Sequence, residues 1–287
     1  MSHLGVFLMR LLAFLPLAWL RALGWLLGGA LFVVVPKRRR IAARNLELCY
    51  PKLPRSTRRA LTLRLFIHVA QSWLDRSWLW HASERVVRKR LRLTGATAQL
   101  DGSQPTVVFA PHFVGMDAGW TALTLHVQRE FTGIYTDQSN KVVDAWALKG
   151  RHRFGHCRPF ARVDGVRAIV SALRHGSVLY LLPDMNFGPE ESIFVPFFGV
   201  PAATLPSLSR FARLGHAKVV PVVTRMTRHG YDVEVLPAWS DFPSRDLVAD
   251  TALMNVRLQQ YIDTMPEQYY WVHQRFKSRP PGQPPVY

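Results

Sequence analysis

Two side chains at a chemically useful spacing stand in the stretch VVFAPHFVGMDAGW, residues 107–120: His112 and, five residues later, Asp117. On one continuous helix, side chains at this spacing point about 140° apart. Pro111 favours ending the preceding apolar strand, and Gly115 tolerates the torsions of a tight turn. We therefore expect His112 in the loop after a buried strand and Asp117 in the first turn of the next helix, where the two can meet.

A carboxylate bonded to one imidazole nitrogen fixes the tautomer and leaves the other nitrogen free as a general base. No nucleophile of the G-x-S-x-G kind stands near His112, so the substrate must bring the attacking hydroxyl or amine. Direct acyl transfer meets these requirements. The H-x4-D pattern is common, however, and the motif alone leaves open a histidine that only fills space.

A second stretch, LKGRHRFGHCRPF at residues 148–160, carries Arg151 and Arg153 on one side of a predicted turn, with Arg158 close behind. Guanidinium groups bind phosphate oxygens in a bidentate manner, so these arginines are candidate phosphate ligands. The alternative is a set of unrelated surface arginines.

A third stretch runs over residues 179–211, where Asp184 follows Pro183 at the end of a predicted buried strand. Open α/β sheets place their ligand sites at such strand ends, although Asp184 could serve only to form a turn. The loop FVPFFG, residues 194–199, is too apolar for an ordinary surface turn. We expect it to form a pocket wall or a lip that enters lipid.

A fourth stretch, MPEQYYWVHQRFKSRPPG at residues 265–282, gathers aromatic and basic side chains near the C-terminus. This set consists of Tyr269, Tyr270, Trp271, Arg275 and Lys277. Its simplest interpretation is that it docks a terminal helix.

Residues 1–40 differ in composition from the rest of the chain. Residues 4–35 are apolar apart from two arginines, and the basic run KRRR follows at 37–40. The stretch from Leu11 to Val35 exceeds the ~20 residues needed to span a bilayer. A proline and an arginine interrupt it, so a tilted span and an in-plane anchor are both open. We expect a membrane anchor with its basic flank on the cytoplasmic side, and a buried core helix is the alternative.

The amino-acid composition limits the classes of partner that the protein can be expected to bind. The chain has 287 residues and a net charge of +18, which calls for an anionic partner such as a nucleic acid, acidic lipid, an acidic carrier protein or a phosphorylated substrate. The two cysteines, Cys49 and Cys157, show no metal-binding spacing, so we expect neither a disulfide framework nor a zinc site.

Residues 41–287 read as one α/β domain. Two amphipathic helices separated by the loop at 50–54 come first, with Ser56 or Thr57 placed to cap the second. Strands and helices then alternate, which predicts a sheet covered by helices on both faces. Strands are predicted over 106–110, 129–135, 178–182, 218–225 and 231–236, and helices over 116–128, 142–153, 166–174, 205–214 and 246–264.

Together these stretches resemble the lysophospholipid acyltransferase superfamily and, within it, the lauroyl/myristoyl branch of the lipid A late acyltransferases. The resemblance covers nearly the whole chain. It rests on ARNLELCYP (43–51), HFVGMD, GRHRFG, LLPDMNFGP, FVPFFGVPAAT and PEQYYWVHQRFKSRP, of which the last two are the most specific. It implies a glycerolipid acyltransferase-like α/β fold with a mixed central sheet flanked by helices and an N-terminal membrane-anchoring helix.

The resemblance also implies roles for single residues. His112 is the general base and Asp117 is the acid that orients it. The implied substrate-binding residues are Arg151, Arg153, Arg158, Asp184 and Asn186. Met185 stands where the family often has Gln after the Pro-Asp pair.

The function implied is transfer of a fatty acyl chain from an acyl carrier protein thioester to a hydroxyl of a phosphorylated, acylated glucosamine disaccharide, the lipid A precursor, in lipopolysaccharide biosynthesis. Neither a metal nor a bound cofactor is expected. The expected partners are acyl carrier protein, the precursor and the lipids of the bacterial inner membrane, with the catalytic domain on the cytoplasmic face and no nucleic acid.

Two alternatives remain at this point. Another membrane-bound acyltransferase of the superfamily, acting on a glycerophospholipid or glycolipid, would use the same chemistry. Those closest to glycerol phosphate usually carry a Pro-Glu-Gly-Thr block, where this chain has residues 183–186 as PDMN. A non-catalytic basic membrane protein that binds nucleic acid is the remote alternative, because clustered arginines alone permit it.

Overall fold

The computed structural model describes residues 3–136, 138–161 and 165–287. Its α-helices are α1 (His3–Leu12), α2 (Leu17–Val34), α3 (Pro36–Cys49), α4 (Arg55–His81), α5 (Glu84–Arg90), α6 (Met116–His126), α7 (Lys141–Arg151), α8 (Gly165–Arg174), α9 (Ser207–Gly215) and α10 (Leu247–Asp263). Its strands are β1 (Leu91–Gly95), β2 (Thr106–Phe109), β3 (Glu130–Tyr135), β4 (His156–Ala161), β5 (Val178–Leu181), β6 (Ile193–Phe197), β7 (Val200–Thr204), β8 (Lys218–Thr227) and β9 (Gly230–Val235).

Seven of these strands form one sheet in the order β1-β9-β8-β2-β5-β3-β4. Neighbouring strands run parallel except β8 and β9, which form an antiparallel hairpin. The predicted mixed sheet flanked by helices is therefore confirmed, and so are the five predicted strands and the helices between them, to within a few residues.

The centre of the sheet explains why the site residues can meet. All four residues of β2 and all four of β5 are buried, and the two strands pair directly in parallel register. Apolar strands covered on both faces are typical of parallel sheets. Because parallel neighbours end at the same edge, the residues that follow β2 and β5 emerge side by side.

The N-terminal segment consists of two apolar helices rather than one, because the chain turns between α1 and α2 before Pro16. Helix α2 is long and apolar enough to cross a membrane, and only 17% of it is buried. The basic run at 37–40 follows α2 directly and lies in the first turns of α3, which begins at Pro36. Proline suits the first helical position because its missing N–H would have no partner there.

Helix α2 packs along α4 through a stripe of small residues. Leu20, Gly24 and Gly28 are its buried positions, spaced one turn apart. A Cβ atom added to Gly28 would lie 2.4 Å from the Cα of Ile67 in α4, so the two backbones approach closely.

A buried ion pair fixes the same contact. Arg21 of α2 donates to Asp75 of α4, which is fully buried. Asp75 also accepts from Tyr231 Oη at 2.6 Å and from Trp78 Nε1 at 2.8 Å. Helix α2 is thus attached to both α4 and the sheet, since Tyr231 belongs to β9.

Several elements differ from the sequence interpretation. No element is predicted over residues 84–95 or 156–161, where the structure has α5, the edge strand β1 and the edge strand β4. These edge strands are hard to recognise in the sequence because they contain few apolar residues. In β1, for example, most positions are exposed or only partly buried. The capping prediction for Ser56 or Thr57 is wrong, because α4 begins one residue earlier, after Pro54, with no side-chain cap.

The small-residue contact predicts different effects at two adjacent glycines. Gly28→Ala forces a methyl group onto the α4 backbone, and overpacking of this kind costs about 1–3 kcal/mol. Gly29→Ala is the matched control, because a Cβ there meets nothing within 4 Å and alanine favours a helix. Thermal unfolding of the full chain in detergent should show a lower midpoint for Gly28→Ala only. Equal midpoints would mean that α2 does not pack on α4 in this way.

Candidate functional site

The site centres on a carboxylate that binds one residue twice. His112 follows β2 and Asp184 follows β5, and Asp184 is fully buried. Its Oδ1 lies 2.7 Å from Nδ1 of the His112 ring, and its Oδ2 accepts from the His112 backbone N–H at 3.1 Å. The carboxylate therefore fixes both the backbone and the ring of His112, with Nδ1 as donor, so that Nε2 carries the free lone pair.

Tyr269 provides a further hydrogen bond to this carboxylate. Its hydroxyl donates to Asp184 Oδ2 at 3.0 Å. Burial by itself would raise the pKa of Asp184, but the adjacent His112 and the hydrogen bonds from His112 and Tyr269 bring it below its usual value. Asp184 is thus an anion inside the protein, held beside an imidazole whose side chain is 20% exposed.

The C-terminal motif builds the loop that carries His112. Tyr270 N–H donates to the His112 carbonyl at 3.0 Å, and Val114 N–H donates to the Gln268 carbonyl at 2.9 Å. Phe113 and Tyr269 form an isolated antiparallel bridge between these two bonds. The 265–282 stretch therefore does not dock a terminal helix. It pairs with the histidine loop as an extra strand would.

Asn186 and His273 tie the Asp184 loop to the same C-terminal segment. Asn186 N–H donates to His273 Nε2 at 3.1 Å, and the Asn186 side chain donates to the Arg275 carbonyl at 3.4 Å. Burial, His112 and Arg275 lower the pKa of His273 to about 4, so this second histidine is neutral at physiological pH. Asn186, expected to bind substrate, is engaged here in internal hydrogen bonds.

Asp117 lies in the first turn of α6, as expected, but its carboxylate faces two arginines. Arg76 Nε donates to Asp117 Oδ2 at 2.8 Å, and Arg151 Nε donates to Asp117 Oδ1 at 3.0 Å. Burial opposes ionisation of Asp117, yet Arg151 and Arg76 lower its pKa to about 2. Between His112 and Asp117, both within the described chain, no side-chain hydrogen bond is formed; the acid bonded to the imidazole is Asp184.

The three arginines of the 148–160 stretch have three different environments. Arg151 ends α7, and among the described residues Asp117 holds it through Nε, with the Arg151 side chain 38% exposed. Arg153 donates to the carbonyls of Leu79, at 2.9 Å, and Ala82, which satisfies the C-terminal end of α4.

Arg158 lies in β4, with its guanidinium over the Phe160 ring at 5.2 Å from the centroid. It lines a cavity of about 690 Å³ with Ser103, Gly176 and Ser177, which precede β2 and β5. This cavity lies at the amino ends of the strands, whereas His112 and Asp184 lie at their carboxyl ends. The structure thus brings Arg151 to Asp117, five residues after the histidine, and places Arg158 at the opposite end of the strands.

The FVPFFG stretch is not an open loop, because its first four residues belong to β6 and its last two form the turn of the β6–β7 hairpin. Phe197 is buried, and Arg275, itself 1% exposed, stacks on its ring at 5.1 Å. Arg275 also donates to the Ala203 carbonyl at 2.7 Å and to Thr204 Oγ1 at 2.6 Å. The hairpin is therefore packed onto the C-terminal segment that supports Asp184.

Tyr269 and His273 are the site residues that sequence reasoning did not single out for a role. The motif that holds them was visible, but nothing in the sequence relates it to a loop some 150 residues earlier. Among the described residues, no group of three or more His, Cys, Asp or Glu side chains is arranged to hold a metal ion.

Comparison with known proteins shows the family to which this chain belongs. Residues 1–278 match the family model for bacterial lipid A biosynthesis acyltransferases. A lipid A biosynthesis acyltransferase from Haemophilus influenzae is 32% identical, over 98% of this chain and 88% of its own. The lipid A biosynthesis lauroyltransferase of Escherichia coli is 30% identical over 100% and 94%, and its myristoyltransferase is 29% identical over 85% and 77%. The chain belongs to the bacterial lipid A biosynthesis acyltransferase family and is an acyltransferase.

Proposed function

We propose that this enzyme transfers a fatty acyl chain from an acyl carrier protein thioester to a hydroxyl of a phosphorylated, acylated glucosamine disaccharide, with His112 as general base. One observation carries the proposal. The His112 ring is held through Nδ1 by a buried, ionised Asp184, and its Nε2, which has no hydrogen-bond partner in the described chain, is the basic nitrogen.

The reaction that this arrangement supports is a single displacement. His112 Nε2 takes the proton of the acceptor hydroxyl as its oxygen attacks the thioester carbonyl. The tetrahedral oxyanion then collapses, the C–S bond breaks and an ester C–O bond remains. The departing thiolate takes a proton from the imidazolium, which restores the base. Asp184 stabilises the imidazolium in between, as an ionised partner does.

The two acids have separate roles in this proposal. Asp184 orients the imidazole, whereas Asp117 positions Arg151, whose terminal nitrogens have no protein partner within the described chain. A guanidinium held at its Nε and free at its other end is suited to the charge that develops on the thioester oxygen. The acid of the H-x4-D motif thus acts through an arginine.

The membrane placement that we propose is an anchor lying in the plane of the cytoplasmic leaflet of the inner membrane. Helix α1 packs against α4 and α7, so the N-terminus lies on the catalytic domain itself. A spanning α2 would draw the attached α4 into the bilayer together with its polar residues Arg64, His68 and Gln71, at high cost. The outward faces of α1 and α2 and the turn between them expose large apolar side chains that suit lipid: Leu4, Phe7, Leu8, Leu11, Phe14, Trp19, Trp25 and Leu26.

Substitution of the base and the two acids tests the chemistry. His112→Ala should lower kcat by about 10²–10⁴-fold. Asp184→Asn should also lower kcat strongly, because the tautomer with a basic Nε2 is no longer fixed. Steady-state acyl transfer with purified, detergent-solubilised protein measures both. Near-normal activity of folded His112→Ala would eliminate the proposed mechanism.

Asp117→Asn has a different signature, since it leaves Arg76 and Arg151 without their counter-ion. We expect a stability loss of about 3 kcal/mol at pH 7 in addition to lower kcat. The native pKa of about 2 lies below the unfolded value of about 3.9. The stabilisation is therefore complete above about pH 4 and is lost as pH falls through 2, so wild type and variant should converge in acid-induced unfolding.

The donor preference follows from charge. An acidic carrier protein gains from long-range attraction to a chain of net charge +18, whereas coenzyme A presents the same carbonyl with little acidic surface. We expect higher kcat/KM with acyl carrier protein than with acyl-coenzyme A, and a gap that narrows as salt rises. A gap that is insensitive to salt would contradict this steering.

We propose α5 as the face on which the carrier docks. Arg88 pairs there with Glu84 at 2.7 Å, so the exposed charges left for a partner are Arg85 and Lys89, one turn apart. Arg85→Glu/Lys89→Glu should impair the carrier reaction and leave the coenzyme A reaction unchanged. Arg167→Glu, on α8, is the control. Equal impairment with both donors would remove α5 as the docking face.

Thiol labelling tests the in-plane anchor. In a background that lacks the half-buried Cys157, single cysteines are placed at His3, in α1, and at Lys52, in the loop before α4. An in-plane anchor makes both react with a membrane-impermeant maleimide from the cytoplasmic side only. A spanning α2 would place the two labels on opposite sides.

A further inference from the structure

A groove of about 530 Å³ opens between α1, the C-terminal end of α4 and α7. We call it the α1–α7 groove. Its apolar walls include Phe7, Trp80 and Trp146, and its basic lining residues include Arg10, His81 and Lys149. None of the described residues that line it is acidic.

The basic groups in this groove lack an anion. Arg10 and Lys149 are exposed and pair with no carboxylate of the described chain. His81 Nε2 accepts from Trp146 Nε1 at 2.8 Å, which fixes the ring against the wall. Burial, together with Arg10, Arg153 and Lys149, lowers the pKa of His81, as expected where cations gather without a counter-charge.

The residues at the bottom of the groove adjoin the cluster that Arg76, Asp117 and Arg151 form. A Cβ atom added to Gly150 would lie 2.2 Å from the Trp80 ring, so the α7 backbone rests directly on that ring. The next residue, Arg151, binds Asp117. On the other side, Arg76 binds Asp117 and lies over the Trp80 ring, 5.5 Å from its centroid. A molecule in the groove would therefore contact Trp80 and Gly150, which adjoin Arg76 and Arg151 of the Arg76–Asp117–Arg151 cluster.

The groove also opens towards the apolar surface of α1. Leu4, Leu8 and Leu11 are exposed on the same helix that supplies Phe7 and Arg10. A lipid lying in the membrane could thus enter sideways, with an acyl chain along the aromatic wall and a polar head between the cations.

We propose that the α1–α7 groove binds a phosphate monoester of the acylated sugar acceptor, with Arg10 and Lys149 as its charged ligands and Trp80 and Trp146 against the adjoining acyl chain. This inference rests on the proposed function and specifies how its acceptor is recognised. The phosphate ligands are then not Arg153 and Arg158, which the structure uses elsewhere. Helix α1 forms one side of a binding site in addition to anchoring the protein.

The test compares the phosphorylated acceptor with the same acceptor after phosphatase treatment, using the full chain in detergent. Arg10→Gln/Lys149→Gln should raise KM for the phosphorylated acceptor by about tenfold or more, as expected for lost charge-assisted hydrogen bonds. The preference of wild type for the phosphorylated acceptor should shrink by the same factor. Arg167→Gln/Lys52→Gln removes two exposed charges elsewhere and should keep that preference.

A second variant tests the apolar wall without changing charge. Ala145 is exposed on α7 and lines the groove, so Ala145→Trp should fill it and raise KM while the protein remains folded. A double-charge variant that prefers the phosphorylated acceptor as strongly as wild type would overturn the proposal.

Equilibrium binding of radiolabelled acceptor without any donor separates this inference from the proposed function. Phosphate-dependent binding that the double-charge variant loses supports the groove even if no acyl transfer occurs, in which case only the proposed function fails. Transfer that proceeds normally with binding indifferent to phosphate would remove the groove and leave the proposed function intact.

Discussion

The buried carboxylate of Asp184 is the constraint on which the rest of this structure depends. An ionised carboxyl group without solvent requires several donors, and a buried anion with too few partners is strongly destabilising. Here the donors are the ring and backbone of His112 and the hydroxyl of Tyr269. These donors come from the end of β2 and from the C-terminal segment, while Asp184 itself follows the neighbouring strand β5, so the carboxylate brings together parts that are distant in sequence. The same three bonds that lower the energy of the anion also fix the histidine in one orientation.

Arginines play an unusual part in supporting this centre. Arg275 satisfies the β7 end of a hairpin, Arg153 satisfies the end of α4, and Arg129 donates to the carbonyls of Gln104 and Gly176 at 2.7 Å each. Backbone carbonyls at the ends of elements need donors when they are partly buried. A guanidinium group provides several on one planar head. Part of the large positive charge of the chain therefore stabilises the scaffold and is not available to a partner.

The contrast between sequence and structure follows from this arrangement. The sequence predicts the strand before His112 and the strand before Asp184, because both are short, apolar and followed by proline or a turn. It also predicts that parallel neighbours bring their following loops together. The sequence interpretation assigns Asp117 as the acid that orients the imidazole, whereas Asp184 has that place in the structure. That outcome is decided by Arg76 and Arg151, which occupy Asp117 from two separate helices. The role of Tyr269 was equally hidden, because a β-bridge between residues 113 and 269 leaves no periodic signal in the sequence.

The ion pair between Arg21 and Asp75 makes the lipid-facing helix part of the folded body. Asp75 is completely buried and also holds Tyr231 and Trp78. A chain shortened by its first 35 residues would lose the only cation paired with Asp75 in the described structure. It would also uncover the side of α4 on which Gly24 and Gly28 rest. The N-terminal helices of this enzyme are therefore part of the folded domain and cannot be replaced by another anchor. A variant that stays soluble without detergent requires substitutions on the outer surface of these helices and not their removal.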